Sequence, residues 1–140
     1  MSEFAYFITP FLAWLVAGSL KFLINCIRAK RLAFDLIGYG GLPSNHSAIV
    51  SSIAALIAFR DGMNTAAFGV AITLAFIVIL DASSLRRQVG KHAAAINKLN
   101  HASDDQLLRE RMGHTRIEIF SGIVVGIAVA NVVFDLTSII

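Results

Sequence analysis

The chain has 140 residues, of which 56% are hydrophobic and only 15% are charged, and its mean hydropathy is +0.72. A water-soluble domain usually carries about 25% charged residues, so this composition argues against a soluble protein and for one whose surface largely contacts lipid. The net charge of +3 does not indicate nucleic-acid binding, because the basic residues stand between long apolar runs, as membrane-flanking charges do. The single cysteine, Cys26, excludes an intrachain disulfide.

The first apolar stretch runs from about Phe4 to Ile27. No Lys or Arg precedes it, whereas a cleavable signal peptide begins with a basic segment, so we expect a retained membrane helix. Lys21 and Arg28 are seven residues apart, which is nearly two helical turns, and both therefore project from one face of this helix. The pair is suited to bind an anion, although basic side chains near helix ends also commonly extend to the membrane surface.

The second stretch, His46 to Phe59, is short. Its 14 residues cover only about 21 Å as a helix, whereas a membrane-spanning helix needs roughly 20 residues. We therefore expect its start to lie slightly inside the membrane surface. A helix that begins near Ser44, Asn45 and His46 presents unpaired backbone N–H groups and the positive end of its dipole, which together form an anion site. Ser44 or Asn45 is equally suited to be an ordinary N-cap.

The third stretch runs from Thr65 to about Ser84, and a polar region follows from Leu85 to Thr115. Apolar residues recur in this region at helical spacing, at Leu85, Val89, Ile96 and Leu99, with basic residues between them. This pattern predicts an amphipathic helix at the membrane interface. Ser103 with Gln106 forms a capping-box pattern, which predicts a further short helix ended by Gly113.

The fourth stretch runs from Ile117 to about Phe134, and His114 stands just before it. His114 and Glu118 are four residues apart, so the carboxylate can meet the imidazole on one helix face, fix its tautomer and make the other ring nitrogen more nucleophilic. Thr115 with Glu118 is also a capping-box pattern, which would engage the carboxylate with the backbone. One carboxylate is not expected to serve both fully, and the spacing alone leaves both interpretations open.

Two connections carry most of the positive charge: the one from Arg28 to Leu42 and the one from Leu85 to Arg116. The positive-inside rule places both in the cytoplasm and both termini outside. We therefore predict an all-α integral membrane bundle with about four membrane segments plus an interfacial amphipathic helix, forming a single domain over residues 1–140. In the last segment, the Gly122-x3-Gly126 pattern is expected to serve internal packing more than dimerisation.

This topology gathers a chemically distinctive set on the cytoplasmic side, namely Arg28, His46, Arg86, Arg87 and His114. Two histidines, several cations and a helix N-terminus are sufficient for phosphoryl transfer without a metal ion or another cofactor. The cations neutralise the phosphoryl oxygens, one histidine attacks phosphorus, and the other protonates the leaving oxygen.

At these residues the sequence resembles the type 2 phosphatidic acid phosphatase (PAP2) superfamily, which includes the vanadium haloperoxidases, and most closely its short, divergent membrane branch. The family motifs are Lys-x6-Arg-Pro, Pro-Ser-Gly-His and Ser-Arg-x5-His-x3-Asp. The corresponding segments here are Lys21-x6-Arg28, Pro43-Ser44-Asn45-His46 and His114-x3-Glu118, with a further similar segment at Asp81–Arg87. The resemblance covers roughly Lys21 to Gly126.

The resemblance implies a role for each matched residue. His114 would be the nucleophile that forms a phosphohistidine, Glu118 would orient it, and His46 would be the general acid. The phosphate would be held by a larger polar set, which comprises Lys21, Arg28, Ser44 and the backbone of Asn45.

The chain departs from the family pattern at several positions. Three residues are replaced: Ala29 stands for proline, Asn45 for glycine and Glu118 for aspartate. The third-motif arginine is also displaced, because Arg109 is one residue too close to His114. Arg86 or Arg87, at the end of the third stretch, could supply that charge instead.

The implied function is hydrolysis of phosphate or pyrophosphate monoesters of a lipid or isoprenoid, in a plasma membrane of the bacterial type. The implied partners are that substrate and membrane lipids, with no nucleic acid, and a homo-oligomer stays open. The displaced arginine leaves two alternatives. One is a protein that binds or transports a lipid phosphate without hydrolysing it, and the other is a structural membrane subunit whose motifs have decayed.

Overall fold

The computed structural model describes residues 4–32, 34, 41–100 and 107–139. The elements of this part of the chain are all helical, which confirms the predicted fold class. They are α1 (Ala5–Ala29), α2 (Asn45–Arg60), α3 (Ala66–Leu80), a π-helical turn (Asp81–Leu85), α4 (Arg86–Asn100) and α5 (Arg116–Ser138).

Within the described residues, three helices are long and apolar enough to cross a membrane: α1, the helix that runs continuously from Ala66 to Leu99, and α5. Large apolar side chains cover their outer faces; Trp14 is 53% exposed, Phe76 64% and Phe120 68%. Such faces suit lipid rather than water. The remaining helix, α2, has 16 residues and reaches only about 24 Å, so the second predicted segment is short, as its sequence indicated.

The predicted amphipathic helix is present as α4, but it does not begin as a separate element. The helical backbone passes from α3 through the π turn into α4 without a break. No Gly or Pro stands between Leu80 and Val89 to end the helix. The hydroxyls of Ser83 and Ser84 donate to the carbonyl oxygen of Leu80, at 3.1 and 2.6 Å, at the point where the helix widens. The short helix predicted from Ser103 begins outside the described residues. Residues 107–113, where it was expected to continue and end, are not helical.

Helix α2 lies at the centre of the bundle and packs against α1, α3 and α5. Its contact with α5 is closest, because Gly122 and Gly126 present no side chain to it. A Cβ atom added at Gly122 would collide with the carbonyl oxygen of Ser44, and one at Gly126 would collide with that of Ala48. The two glycines therefore serve internal packing, as predicted.

Polar contacts mark the two ends of α2. At its start, the N–H of Ser44 donates to the carbonyl oxygen of Glu118 over 2.9 Å and ties α2 to the first turn of α5. At its end, the hydroxyl of Tyr6 donates to Asp61 over 2.6 Å, and the Arg60 guanidinium lies 4.9 Å from the Tyr6 ring centre. The C-terminal parts of α1 and α3 therefore meet the N-terminal ends of α2 and α5 at one end of the bundle.

Candidate functional site

Ser44 caps the N-terminus of α2. Its Oγ accepts hydrogen bonds from the backbone N–H and the hydroxyl of Ser47, at 3.4 and 3.1 Å, and the residue is completely buried. The structure thus shows the ordinary capping role that the sequence left open for Ser44. Asn45 and His46 follow in the first turn, where the free N–H groups and the helix dipole favour an anion.

Glu118 makes both interactions that the sequence presented as alternatives. Its Oε2 accepts the backbone N–H of Thr115 over 2.8 Å, and the Thr115 hydroxyl accepts the backbone N–H of Glu118 over 3.3 Å, which completes the capping box. The same Oε2 lies 3.4 Å from Nδ1 of His114. His114 immediately precedes the cap, so its ring and the cap N–H reach one oxygen. With Nδ1 directed at the carboxylate, Nε2 is the ring nitrogen left for chemistry.

The π turn holds the backbone of His114. The N–H of His114 donates to the carbonyl oxygen of Ala82 over 2.9 Å, which joins the start of α5 to the end of α3. Gly113 adopts a φ of 85°, and a Cβ there would lie only 2.6 Å from Cγ of Arg87. Glycine is therefore needed at this position both for its backbone angle and for the close approach.

The segment of residues 107–113 lies against α4. Asn97 holds it with three hydrogen bonds: its side chain accepts the N–H of Leu108 over 2.8 Å and donates to the carbonyl oxygen of Leu108 and to the Glu110 carboxylate, both over 2.9 Å. A Cβ added at Gly90 would collide with the carbonyl oxygen of Glu110. Neither Asn97 nor Gly90 was predicted from the sequence to matter, although a glycine inside a helix is a signal of close backbone approach.

The two histidines come together from different helices. The ring centres of His46 and His114 are 6.0 Å apart. The side chains of His114 and Glu118 are 9% and 14% exposed, so the pair is largely shielded from solvent. Within the described residues, Nδ1 of His46 and Oδ1 of Asn45 are buried and accept or donate no hydrogen bond. These two buried atoms thus retain hydrogen-bonding capacity that the described side chains leave unused.

Cations act on the histidine pair from two sides. Burial lowers the pKa of His114, and the positive charge of Lys21 lowers it further, while Glu118 opposes both effects. The positive charge of Arg86 acts on both rings as well. The Nε of Arg86 lies 3.0 Å from Oδ2 of Asp81, so the two side chains form an ion pair.

The other basic residues of the predicted site lie further out. Arg28 is exposed in the last turn of α1. Arg87 is exposed as well, and its aliphatic stem passes Gly113. Arg109 is exposed and donates to the carbonyl oxygen of Arg111 over 3.3 Å. Of the two candidates for the displaced third-motif arginine, Arg86 is therefore the one whose charge reaches the histidines.

A metal site would need several ligands in one place. Across residues 4–32, 34, 41–100 and 107–139, no group of three or more His, Cys, Asp or Glu side chains is placed to hold a metal ion.

Comparison with known proteins gives one family and one bacterial relative. A family model described as the divergent PAP2 family matches residues 3–129. The uncharacterized membrane protein YuiD of Bacillus subtilis (strain 168) is 33% identical over 133 residues, a region that covers 82% of this chain and 84% of the relative. No solved structure gives a significant match.

Proposed function

Because the chain belongs to the divergent PAP2 family, we propose that it is a membrane phosphatase that hydrolyses a lipid or isoprenoid phosphate through a phosphohistidine. The family supports a phosphatase-like scaffold, and the site residues support the specific chemistry. The observation that carries the proposal is the pair of histidines whose ring centres lie 6.0 Å apart, one of them held by a carboxylate. The positive charges of Lys21 and Arg86 act on His114.

In the first step, Nε2 of His114 attacks the phosphorus atom of the substrate. The N–P bond forms as the P–O bond to the alcohol breaks, and His46 donates a proton to the departing alcohol oxygen. Lys21 and Arg86 neutralise charge on the phosphoryl oxygens, and Glu118 stabilises the positive imidazole of the phosphorylated His114. This step requires a neutral ring at His114 and a protonated ring at His46.

In the second step, water attacks the phosphorus atom of the phosphohistidine. The N–P bond breaks, the now neutral His46 takes a proton from the attacking water, and inorganic phosphate leaves. Both histidines thereby return to their starting protonation states, so one pair of residues serves both halves of the reaction.

We further propose that the site faces the cytoplasm, on the basis of the positive-inside rule. The basic residues are concentrated at the histidine end of the bundle, whereas the opposite end carries Arg60 beside Asp61. In a variant without Cys26, a cysteine at Lys91 should be protected from an impermeant maleimide in intact cells, and one at Met63 should react. The reverse pattern would place the site outside.

A second candidate function is binding or transport of a lipid phosphate without hydrolysis. It is favoured by the position of Arg109, which lies in the exposed 107–113 segment, and by the engagement of Arg86 with Asp81. A site whose nearby arginine is already paired can hold a phosphate yet stabilise the transition state poorly.

Phosphate release from purified protein separates the two candidates. The substrates would be phosphatidic acid, phosphatidylglycerophosphate and isoprenoid mono- and diphosphates, with EDTA present. Release that is lost in His114→Ala and kept in Lys98→Ala supports the phosphatase. Binding of these lipids without any release, and with the same affinity in His114→Ala, supports the binding protein.

A further inference from the structure

The continuous helix of α3 and α4 contains one turn of a different kind, Asp81–Leu85, which is π-helical. The backbone N–H of Arg86 donates to the carbonyl oxygen of Asp81, five residues earlier. In an α-helix, a residue five positions further on points about 140° away around the axis. In a π turn the same residue completes the turn. The π turn therefore brings the side chains of Asp81 and Arg86 to one side of the helix.

The two side chains meet across this turn. Oδ2 of Asp81 lies 3.0 Å from Nε of Arg86, and the side chains of Asp81 and Arg86 are 36% and 39% exposed. An ion pair that is this exposed contributes little to the free energy of unfolding. It acts more on where the Arg86 side chain lies, because a long, flexible side chain is otherwise distributed over many rotamers.

The π turn also holds the segment that carries His114. The carbonyl oxygen of Ala82, the second residue of the turn, accepts the backbone N–H of His114 over 2.9 Å. A Cβ added at Gly113 would lie 3.3 Å from the same oxygen. The positive charge of Arg86 acts on the rings of His114 and His46. The same short piece of backbone thus orients the Arg86 side chain and holds the backbone of His114.

Asp81 contacts the guanidinium of Arg86 at Nε. Nε supplies only one of the N–H donors of a guanidinium, and the two terminal amino groups supply the others. These terminal groups can form paired hydrogen bonds to two oxygens of a phosphate. A carboxylate at Nε can therefore orient the guanidinium without occupying the edge that binds a phosphate.

We propose that Asp81 is the positioning residue of Arg86: its carboxylate holds Nε, so that the terminal amino groups are directed at a phosphate bound beside His114. The inference rests on the proposed function only for the presence of a phosphate at the histidines. The opposite account is that Asp81 competes with the phosphate for Arg86. The two accounts differ in sign, because removal of a competitor strengthens phosphate binding and removal of a positioning residue weakens it.

The test measures binding of inorganic phosphate to the purified protein in detergent, by isothermal titration calorimetry. Asp81→Ala removes the contact with Nε, whereas Asp81→Asn keeps an oxygen that can accept from Nε. Because both variants remove the same charge, a difference between them reports the contact itself. The control is Asp135→Ala, which removes an exposed carboxylate near the other end of α5.

We expect Asp81→Ala to weaken phosphate binding by about fivefold, because the Arg86 side chain must then be ordered when the phosphate binds. Asp81→Asn should restore most of the affinity, and Asp135→Ala should leave it unchanged. Thermal unfolding should be nearly unchanged in all three variants, since the pair is exposed. Binding in Asp81→Ala that is as tight as in the wild-type protein or tighter, or equal weakening in Asp81→Ala and Asp81→Asn, would overturn the inference.

The charge of Asp81 also acts on His46, so a second comparison separates this direct effect from the one through Arg86. Arg86→Ala removes the group that Asp81 positions. In that background, Asp81→Ala should change phosphate binding no further, because the two residues act as one unit. A further fivefold loss in the double variant would show that Asp81 acts independently of Arg86 and would contradict the positioning role.

Phosphate release from phosphatidic acid, measured on the same proteins, separates this inference from the proposed function. Weaker phosphate binding in Asp81→Ala, with no release by the wild-type protein, would uphold the positioning role and contradict the phosphatase. Release by the wild-type protein, with both release and phosphate binding unchanged in Asp81→Ala, would uphold the phosphatase and contradict the positioning role.

Discussion

The two histidines are held in place by different kinds of structure. His46 stands at the start of α2, where the backbone of Ser44 is pressed against Gly122 and bonded to Glu118, and these contacts are buried. His114 stands at the end of a connecting segment, which the hydrogen bonds of Asn97 and close backbone approaches at Gly90 and Gly113 hold against α4 and the π turn. We infer that the position of His46 depends on the packing of one helix on another, whereas the position of His114 depends on how this segment is attached to α4.

The largest expected effect is a loss of thermal stability in Gly126→Leu, which tests the packing on the His46 side. A side chain there meets the backbone of Ala48 and Ser52, which cannot yield, so the variant should lose the α2–α5 contact. Overpacking typically costs about 1–3 kcal/mol, and a backbone collision costs more. Thermal unfolding in detergent measures the loss. Gly69→Leu, at a helical glycine with nothing within 4 Å, is the matched control, and an equal loss there would contradict the packing argument.

The next effect should come from Glu118→Gln, which keeps the shape of the side chain and removes its charge. The amide oxygen can still accept the Thr115 N–H, whereas the positive imidazole of the phosphorylated His114 loses its counter-charge. We expect phosphate release to fall by about 10²-fold with nearly unchanged thermal stability. A comparable loss of stability and activity would show that Glu118 acts only as a cap.

A smaller effect is expected for Asn97→Ala, which frees the 107–113 segment from α4. This segment leads directly into His114, so turnover should fall by about tenfold while the buried α2–α5 contact stays intact. Lys98→Ala, at the exposed neighbouring position, should change neither property. If Asn97→Ala lowers the unfolding temperature as much as Gly126→Leu does, the 107–113 segment and the α2–α5 contact are not independent of each other.

The smallest effect concerns the protonation of His114. Burial and the charge of Lys21 lower the pKa of His114 from the ordinary value of a histidine. The ring therefore stays neutral at pH values at which a free imidazole would already be protonated. Lys21→Met removes the positive charge and should raise the pKa of His114, whereas Lys98→Met should not. Titration of the His114 ring by NMR, in protein labelled at histidine, measures both midpoints. An unchanged midpoint in Lys21→Met would place Lys21 too far from the ring to act on it.

Much of the fold could be predicted from the sequence because lipid imposes simple rules. Apolar length indicated the long helices and the short α2, and the spacing of Gly122 and Gly126 indicated their contact surface. The continuous helix through α3 and α4 could not be foreseen from the sequence. A polar region after an apolar run usually predicts that the helix ends and the chain changes direction, whereas the helical backbone here continues through residues 81–85.

For the candidate site, the sequence indicated some of the contacts between side chains and not others. Spacing indicated the His114–Glu118 contact but could not show that one carboxylate oxygen also accepts the Thr115 N–H. Arg86 and Arg87 are adjacent in the sequence, and only the structure shows that Arg86 pairs with Asp81 whereas Arg87 is exposed. The N–H of His114 donates to the backbone carbonyl oxygen of Ala82. Because any residue at position 82 would supply this oxygen, the side chains of the sequence carry no signal for this contact.

The central claim is that His114 carries the phosphoryl group. The most direct measurement is a rapid acid-free quench of one turnover on a lipid phosphate with a labelled phosphorus atom, in the presence of EDTA, followed by identification of the labelled peptide. The account predicts one phosphate on His114, stable to base and labile to acid, and none in His114→Ala. Phosphate release by the wild-type protein with no covalent label, or with the label on another residue, would contradict it.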